Sequence, residues 1–247
     1  MADTYNRIIS LVPSLTELLF YFGLKDRLAG RTRFCIHPEP DVEDIPIIGG
    51  TKNPRFNTIC EVNPDFILAN KEENRKEDIE KLEHHFHVHL TQIATIEDAL
   101  IAIHRLGKIF DRDEKAKDLT SGVTRLLKQR PEEPSIRTAY LIWRDPWMTV
   151  GSDTYIHDVM SHWNLENVFE EKQRYPKIKL DSIKQRKPQL VLLSSEPFPF
   201  KEKHVDEVKE HLPDTRVLTV EGEWFSWYGA RMMHAFDKLN TWRKAIS

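Results

Sequence analysis

The sequence predicts an α/β protein of two doubly wound lobes joined by one long rigid backbone helix. Three observations carry this expectation. Short β-branched or leucine-rich runs alternate with amphipathic stretches through residues 1–94. The same alternation resumes over residues 136–247. Between them, in residues 95–135, Thr95 to Gln129 holds apolar residues at helical spacing with no proline.

In chain order, Ile8 to Val12 is a β-branched run and reads as a buried strand. Pro13 breaks it. Ser14 then stands as a helix cap with Glu17 as its capping-box partner. Leu15, Leu18, Leu19 and Phe22 form the apolar stripe of that helix, and Gly23 stops it. Leu28 to Thr32 is the next strand, followed by a loop rich in Pro, Asp and Glu. Phe56 to Val62 is a short helix ending near Pro64, and Phe66 to Ala69 a buried strand. Asn74 to His85 is a charged helix with Ile79 and Leu82 facing inward, and Phe86 to Leu90 alternates like a strand.

The connecting helix takes its stripe from Ile96, Leu100, Ile103, Leu106, Phe110, Ala116, Leu119, Val123 and Leu126. Asp111-Arg112-Asp113 offers a point of restart, since Asp caps well. Pro131 and Pro134 end the segment, which is expected to be a stiff connector. In the second lobe, Ala139 to Trp143, Leu190 to Ser194 and Val217 to Val220 read as strands. Thr154 to Trp163, Leu180 to Gln185, Lys203 to His211 and Tyr228 to Ile246 read as helices. The halves share element order without a repeat visible in the sequence.

Composition excludes several classes. Of 247 residues, 40% are hydrophobic, and 36 basic against 39 acidic residues leave a net charge of −3. That balance gives no footprint for nucleic acid, and no apolar run reaches the roughly 20 residues of a membrane helix. The opening MADTYNRIIS lacks the basic flank and apolar core of a secretion leader. As it stands the sequence is expected to be cytoplasmic; a leader removed upstream would place it in the periplasm or at the cell surface. Cys35 and Cys60 cannot define a disulfide scaffold, and free thiols suit a reducing compartment. Neither G-x-S-x-G, H-E-x-x-H, a P-loop nor G-x-G-x-x-G occurs, so no catalytic residues are assigned.

Several segments, taken in order, resemble one family. Ile9-Ser10-Leu11-Val12-Pro13-Ser14-Leu15-Thr16-Glu17 resembles the opening of the substrate-binding proteins that serve cobalamin, haem and ferric-siderophore ABC importers. Val62-Asn63-Pro64-Asp65-Phe66-Ile67-Leu68 and Arg186-Lys187-Pro188-Gln189-Leu190-Val191-Leu192 resemble the Pro-preceded strands of its two lobes. Gly49-Gly50-Thr51-Lys52-Asn53-Pro54 and Asn70-Lys71-Glu72-Glu73-Asn74-Arg75 resemble the subgroup called helical-backbone metal receptors. The resemblance implies a ligand cleft between the lobes and a metal chelate as ligand: cobalamin or another corrinoid first, haem or a ferric siderophore next. No covalent cofactor is implied. It also implies docking to an ABC permease through one exposed acid per lobe. The aligned positions are Asn57 and Asp181, of which only the second is acidic. A monomer is expected. The chain is expected to be such an importer-type binding protein or a cytosolic relative of one; the alternative is an enzyme acting on a corrinoid or metal chelate.

In such folds the ligand lies at the carboxyl ends of the strands. The loops there supply the candidate binding residues Phe34, His37, Thr51, Lys52, Asn53, Glu72, Asn74, Arg75, Trp143, Arg144, Trp147, Glu196, Phe198, Trp224, Trp227 and Tyr228. A flat macrocycle needs aromatic walls and a few polar groups at its rim. Trp224 to Tyr228 puts four rings in five residues, too many for one core, so at least one should face ligand. The plainer alternative is that these rings anchor loops. Lys52, Arg33, Arg75 and Arg144 either meet ligand oxygens or form salt bridges within the loops. Glu72 either contacts ligand or complements a helix dipole. Cys35 and His37 offer half of a metal site, against a loop histidine bonded to backbone. His84, His85, His87 and His89 have chelating spacing but lie away from the loops, and adventitious metal affinity is their expected property.

Overall fold

The computed structural model describes residues 5–247. The reading of the first residues as lacking a leader falls partly on residues 1–4, outside the described range. The chain forms two compact units. The first comprises residues up to Ile93, Glu97–Gly122 and Tyr228–Arg231. The second comprises Ala94–Ile96, Val123–Trp227 and Met232–Ser247.

The first unit runs β1 (Ile8–Ser10), α1 (Pro13–Tyr21), β2 (Leu28–Arg31), β3 (Gly49–Gly50), β4 (Asn53–Pro54), α2 (Phe56–Val62), β5 (Phe66–Asn70), α3 (Lys76–Glu83), β6 (Val88–Thr91) and α4 (Ile96–Ile109). Its sheet is fully parallel in the order β2-β1-β5-β6. The side-chain alternation of the strands sorts the core. Ile9, Leu11, Ile67 and Ala69 pack with Ile59 of α2 and with Ile79 and Leu82 of α3. Phe66, one residue out of phase, meets Phe110 with ring centroids 5.1 Å apart. Full burial of each such side chain stabilises by about 1.5–3 kcal/mol. The tiny β3–β4 hairpin went unread in the sequence.

Ser14 is not the cap of α1. Val12 occupies that place and Pro13 the first helical position, where its missing N–H costs nothing. Glu17 instead accepts two hydrogen bonds from Arg231, at 2.7 and 2.9 Å.

The continuous helix expected over Thr95–Gln129 is instead two helices, α4 and α5 (Asp113–Lys128). The terminator is a Schellman turn. The Arg112 N–H reaches the Gly107 carbonyl at 2.7 Å, and the Asp111 N–H the Lys108 carbonyl at 3.4 Å. Asp111, at φ 56°, takes the left-handed position usually filled by glycine. Arg112 then covers the end, donating to the carbonyls of Phe110, Asp111 and Phe22. The chain folds back: His104 of α4 lies 3.0 Å from the Thr120 hydroxyl of α5. Gly107 permits the approach, since a Cβ there would lie 2.6 Å from that of Ala116. The apolar stripe is real, with Ile96, Ile103, Leu106, Phe110, Ala116, Leu119 and Val123 all buried, but it lines a helical pair. The chain passes from the first unit to the second within α5.

The second unit continues with β7 (Ile136–Trp143), β8 (Met148–Thr149), α6 (Tyr155–His162), β9 (Leu165–Asn167), α7 (Leu180–Arg186), β10 (Leu190–Ser194), α8 (Glu202–His211), β11 (Arg216–Val220), α9 (Glu223–Ser226) and α10 (Met232–Ala245). Its sheet runs β11-β10-β7-β8, with β9 also pairing β7; only β8 is antiparallel. Ala139, Leu141, Val191, Leu193 and Val217 pack with Leu180, Ile183, Val205 and Val208. Within this unit Asp158 of α6 accepts from the Ile96 N–H at 2.7 Å. Arg243 is fully buried, and its guanidinium donates to the carbonyls of Trp163 and Pro134.

The structure exposes a repeat that identity alone does not show. Phe56–Asn70 and Leu180–Ser194 match in register: a seven-residue helix, a left-handed residue, a buried proline, and a five-residue buried strand. Asn63 and Lys187 both sit at φ 48°. Asn57 and Asp181 occupy equivalent exposed places in the first turns of α2 and α7.

Candidate binding faces

In the first unit the strand ends are tied by one buried polar network. Asn70, ending β5, donates through its side chain to Thr91 at 3.0 Å and accepts from the Glu72 N–H at 2.8 Å. Asn74 accepts from the Asn70 N–H at 2.8 Å and donates to the Thr51 carbonyl at 2.9 Å and the Leu11 carbonyl at 3.3 Å. A single amide therefore joins the ends of β1 and β5 to the β3–β4 hairpin. Expected as a ligand contact, Asn74 serves as the fastener of the loops that carry the others.

On these loops, Phe34 is 54% exposed, with the Arg33 guanidinium 5.6 Å from its ring centre. Thr51 and Lys52 form the hairpin turn. The Asn53 side chain lies over Gly50, where any Cβ would come within 2.2 Å of its oxygen. Arg75 is exposed at the start of α3. Tyr228 is 4% exposed, and its hydroxyl donates to Glu73 at 3.2 Å.

Cys35 is sealed, with the Thr16 and Thr32 hydroxyls 3.1 and 3.2 Å from its sulfur. Burial pushes the thiol up, away from the thiolate a metal requires. His37 is half-buried nearby in sequence. Among the described residues no group of three His, Cys, Asp or Glu side chains could hold a metal. His87 and His89 stack on Phe66, at 5.3 and 5.8 Å between centroids. Cys35 and Cys60 are both free thiols.

In the second unit the strand-end loops build an aromatic ladder. Trp143, 39% exposed, meets Phe198 edge-on at 5.6 Å; Phe198 meets Phe200 at 4.8 Å; Phe200 stacks on Trp147 at 5.9 Å. His204 braces both phenylalanines at 5.3 and 5.6 Å, held by accepting the Lys201 N–H at 2.9 Å. Phe200 and His204 were not singled out from sequence. The Phe-Pro-Phe of residues 198–200 was the available signal.

Arg144 is engaged by acids. It binds Glu207 with two nitrogens, at 2.8 and 3.0 Å, and Asp145 at 2.6 Å. This bonding holds the Glu207 carboxyl below the usual range.

Glu196 is seated from several sides. Its Oε1 accepts from the Ser226 hydroxyl at 2.6 Å and the Trp227 indole N–H at 2.9 Å. Its own carbonyl accepts from the Ser194 hydroxyl at 2.6 Å, which in turn accepts from buried Tyr140 at 3.1 Å. Gly222 lets the loops close, since a Cβ there would lie 2.5 Å from the Glu196 Cγ. Burial raises the Glu196 carboxyl above the usual carboxylate range.

Of the four rings in Trp224 to Tyr228, Phe225 is in the core against Tyr140 and Trp242. Trp227 is 7% exposed with its N–H on Glu196. Trp224 is half-buried.

Parallel sheets whose strand-end loops carry rigid aromatics and oriented polar groups define α/β ligand-binding units. The family model for periplasmic binding proteins matches residues 8–219, and the chain belongs to that family. The vitamin B12-binding protein of Vibrio vulnificus is 26% identical over 199 residues, covering 78% of this chain and 72% of its own. That of Pectobacterium carotovorum is 23% identical over 251 residues, covering 98% and 90%. Among solved structures, the periplasmic vitamin B12-binding protein BtuF of Vibrio cholerae aligns at a TM-score of 0.83 with 21% identity, covering 98% of this chain and 97% of its own. The periplasmic heme-binding protein RhuT of Roseiflexus sp. RS-1 aligns at 0.83 with 16% identity, covering 97% and 98%. Such identities establish shared architecture. Among the described residues no helix is long and apolar enough to cross a membrane.

Proposed function

We propose that this protein binds a metal chelate as the receptor of an ABC-type importer, with cobalamin or another corrinoid as the first choice and haem or a ferric siderophore next. The observation that carries the choice is the aromatic ladder of Trp143, Phe198, Phe200 and Trp147 beside an arginine already neutralised by Glu207 and Asp145. The ladder offers the apolar wall that a macrocycle needs. A dicarboxylate such as haem would look for a cation beside the ladder, and the guanidinium of Arg144 is already engaged by Glu207 and Asp145. The names of the vitamin B12-binding relatives support the same choice. We propose further that the exposed first turns of α2 and α7, with Asn57 and Asp181, are where a permease docks.

Titration with cyanocobalamin, haem and a ferric siderophore, followed by tryptophan quenching and calorimetry, tests the reading. Cyanocobalamin should bind most tightly, and Trp143→Ala should weaken it by roughly tenfold, about 1.4 kcal/mol. If no member of the panel binds even at millimolar concentration, the chelate-binding function is wrong.

A further inference from the structure

On the loop face of the second unit, the two oxygens of Glu196 have different fates. Both donors, the Ser226 hydroxyl and the Trp227 indole N–H, fall on Oε1. Oε2 takes no hydrogen bond from any described residue, yet it is not sealed from solvent. The side chain is mostly buried, so this oxygen cannot swing freely: Oε1 is pinned twice, and Gly222 and the Ser194 hydroxyl fix the backbone and stem behind it. The result is an acceptor of fixed direction in a poorly solvated place. There, a donor that fits gains a charge-assisted bond, and a carboxylate meets like-charge repulsion. Nothing cationic offsets it through Arg144, whose guanidinium is held by Glu207 and Asp145.

We propose that Glu196 Oε2 accepts a hydrogen bond from a ligand N–H, and that this contact selects amide-edged corrinoids over ligands with a carboxylate at the same place. The proposal rests on the corrinoid reading above and adds a specificity-determining residue to it. A corrin ring carries primary carboxamides around its rim. Hydrolysing one of them to a carboxylate changes a donor into an acceptor with almost no change of shape. Such monocarboxylate derivatives therefore isolate the contact from size and from ring chemistry.

The substitution Glu196→Gln suits the test because it keeps the Oε1 acceptor for Ser226 and Trp227 and replaces Oε2 by an NH2 donor. Wild type and E196Q are titrated by calorimetry with cyanocobalamin and with its separated monocarboxylate isomers. Wild type should bind one isomer about ten- to a hundredfold more weakly than cyanocobalamin, the range of a hydrogen bond to a charged group. E196Q should bind cyanocobalamin at least about tenfold more weakly than wild type and should close or reverse the gap for that same isomer. Glu221→Gln removes equal charge from the neighbouring loop and should leave the preference as in wild type.

Several results overturn the proposal. One is an E196Q protein with wild-type preferences; another is an E221Q protein that shifts them equally, which would make bulk charge the cause. A uniform loss of all ligands in E196Q would assign Glu196 to loop support alone. If wild type takes up no corrinoid at all, the function proposed above falls and this contact falls with it. Each of the other failures leaves corrinoid binding intact.

Discussion

Acid should loosen the first unit through His89, and the size of the effect can be worked out. His89 stacks on Phe66 at 5.8 Å, and its pKa is lowered to about 4, first by burial and then by the charges of Arg105 and His87. An unfolded histidine titrates near 6.5. Above that value neither state holds the proton and His89 has no influence on stability. As pH falls below 6.5 the unfolded chain binds a proton that the folded one refuses, so stability is lost progressively down to about pH 4. The full difference corresponds to about 3 kcal/mol, and at pH 5 to about 2 kcal/mol. The ring is half-buried, so solvent screening reduces the expected loss at pH 5 to about 1–2 kcal/mol. Urea unfolding of wild type and His89→Gln at pH 7.5 and pH 5 isolates the contribution, because the other histidines are common to both. Wild type should lose about 1–2 kcal/mol more than the variant on acidification. Equal losses, or a His89 ring that titrates by NMR near 6.5, would refute the reasoning.

Three further outcomes are expected. Asp111→Gly should raise stability by about 0.5–1 kcal/mol, seen as a higher melting temperature, because glycine adopts the left-handed turn without strain. Arg243→Met should cost about 3 kcal/mol, since the Trp163 and Pro134 carbonyls lose their donor inside the second unit; an unchanged urea midpoint would show those carbonyls are satisfied otherwise. Asn74→Ala should destabilise by about 2 kcal/mol and speed hydrogen exchange at the Asn70 amide, while a pattern of exchange like wild type would remove its fastening role.

Legibility in the sequence followed the range of the interaction. Phe56–Val62 and Leu190–Ser194 match their expected bounds because an apolar pattern and a proline mark them locally. The break at Asp111 was legible only as a point of restart, because the residue in the left-handed position is not glycine; the step from Phe110 to Ala116, which falls off the helical spacing of the stripe, was the signal passed over. For Arg144 the sequence leaves ligand contact and salt bridging within the loops both open, and no local pattern points to Glu207, 63 residues later, which binds it. Asn74 likewise depends on Thr51 and Leu11, which no local pattern connects to it. The aromatic content of the loops was readable, but which rings would be spent on structure was not. Trp227 and Tyr228 sit near the bottom of the exposure scale, while Trp143 stands open.

The first unit recruits Tyr228–Arg231 from far down the chain: Arg231 engages Glu17, Tyr228 engages Glu73, and Gly229, at φ 87°, rests against the backbone of Ser14. During synthesis, then, this unit waits for a segment that is made only after the whole run Val123–Trp227 of the other unit. Domains that are continuous in sequence fold as they emerge; this unit is discontinuous, and its contacts with Tyr228–Arg231 can form only after that segment has been made. Neither unit can be excised by a single cut in the gene, and a nonsense codon just before Tyr228 would remove contacts from both units.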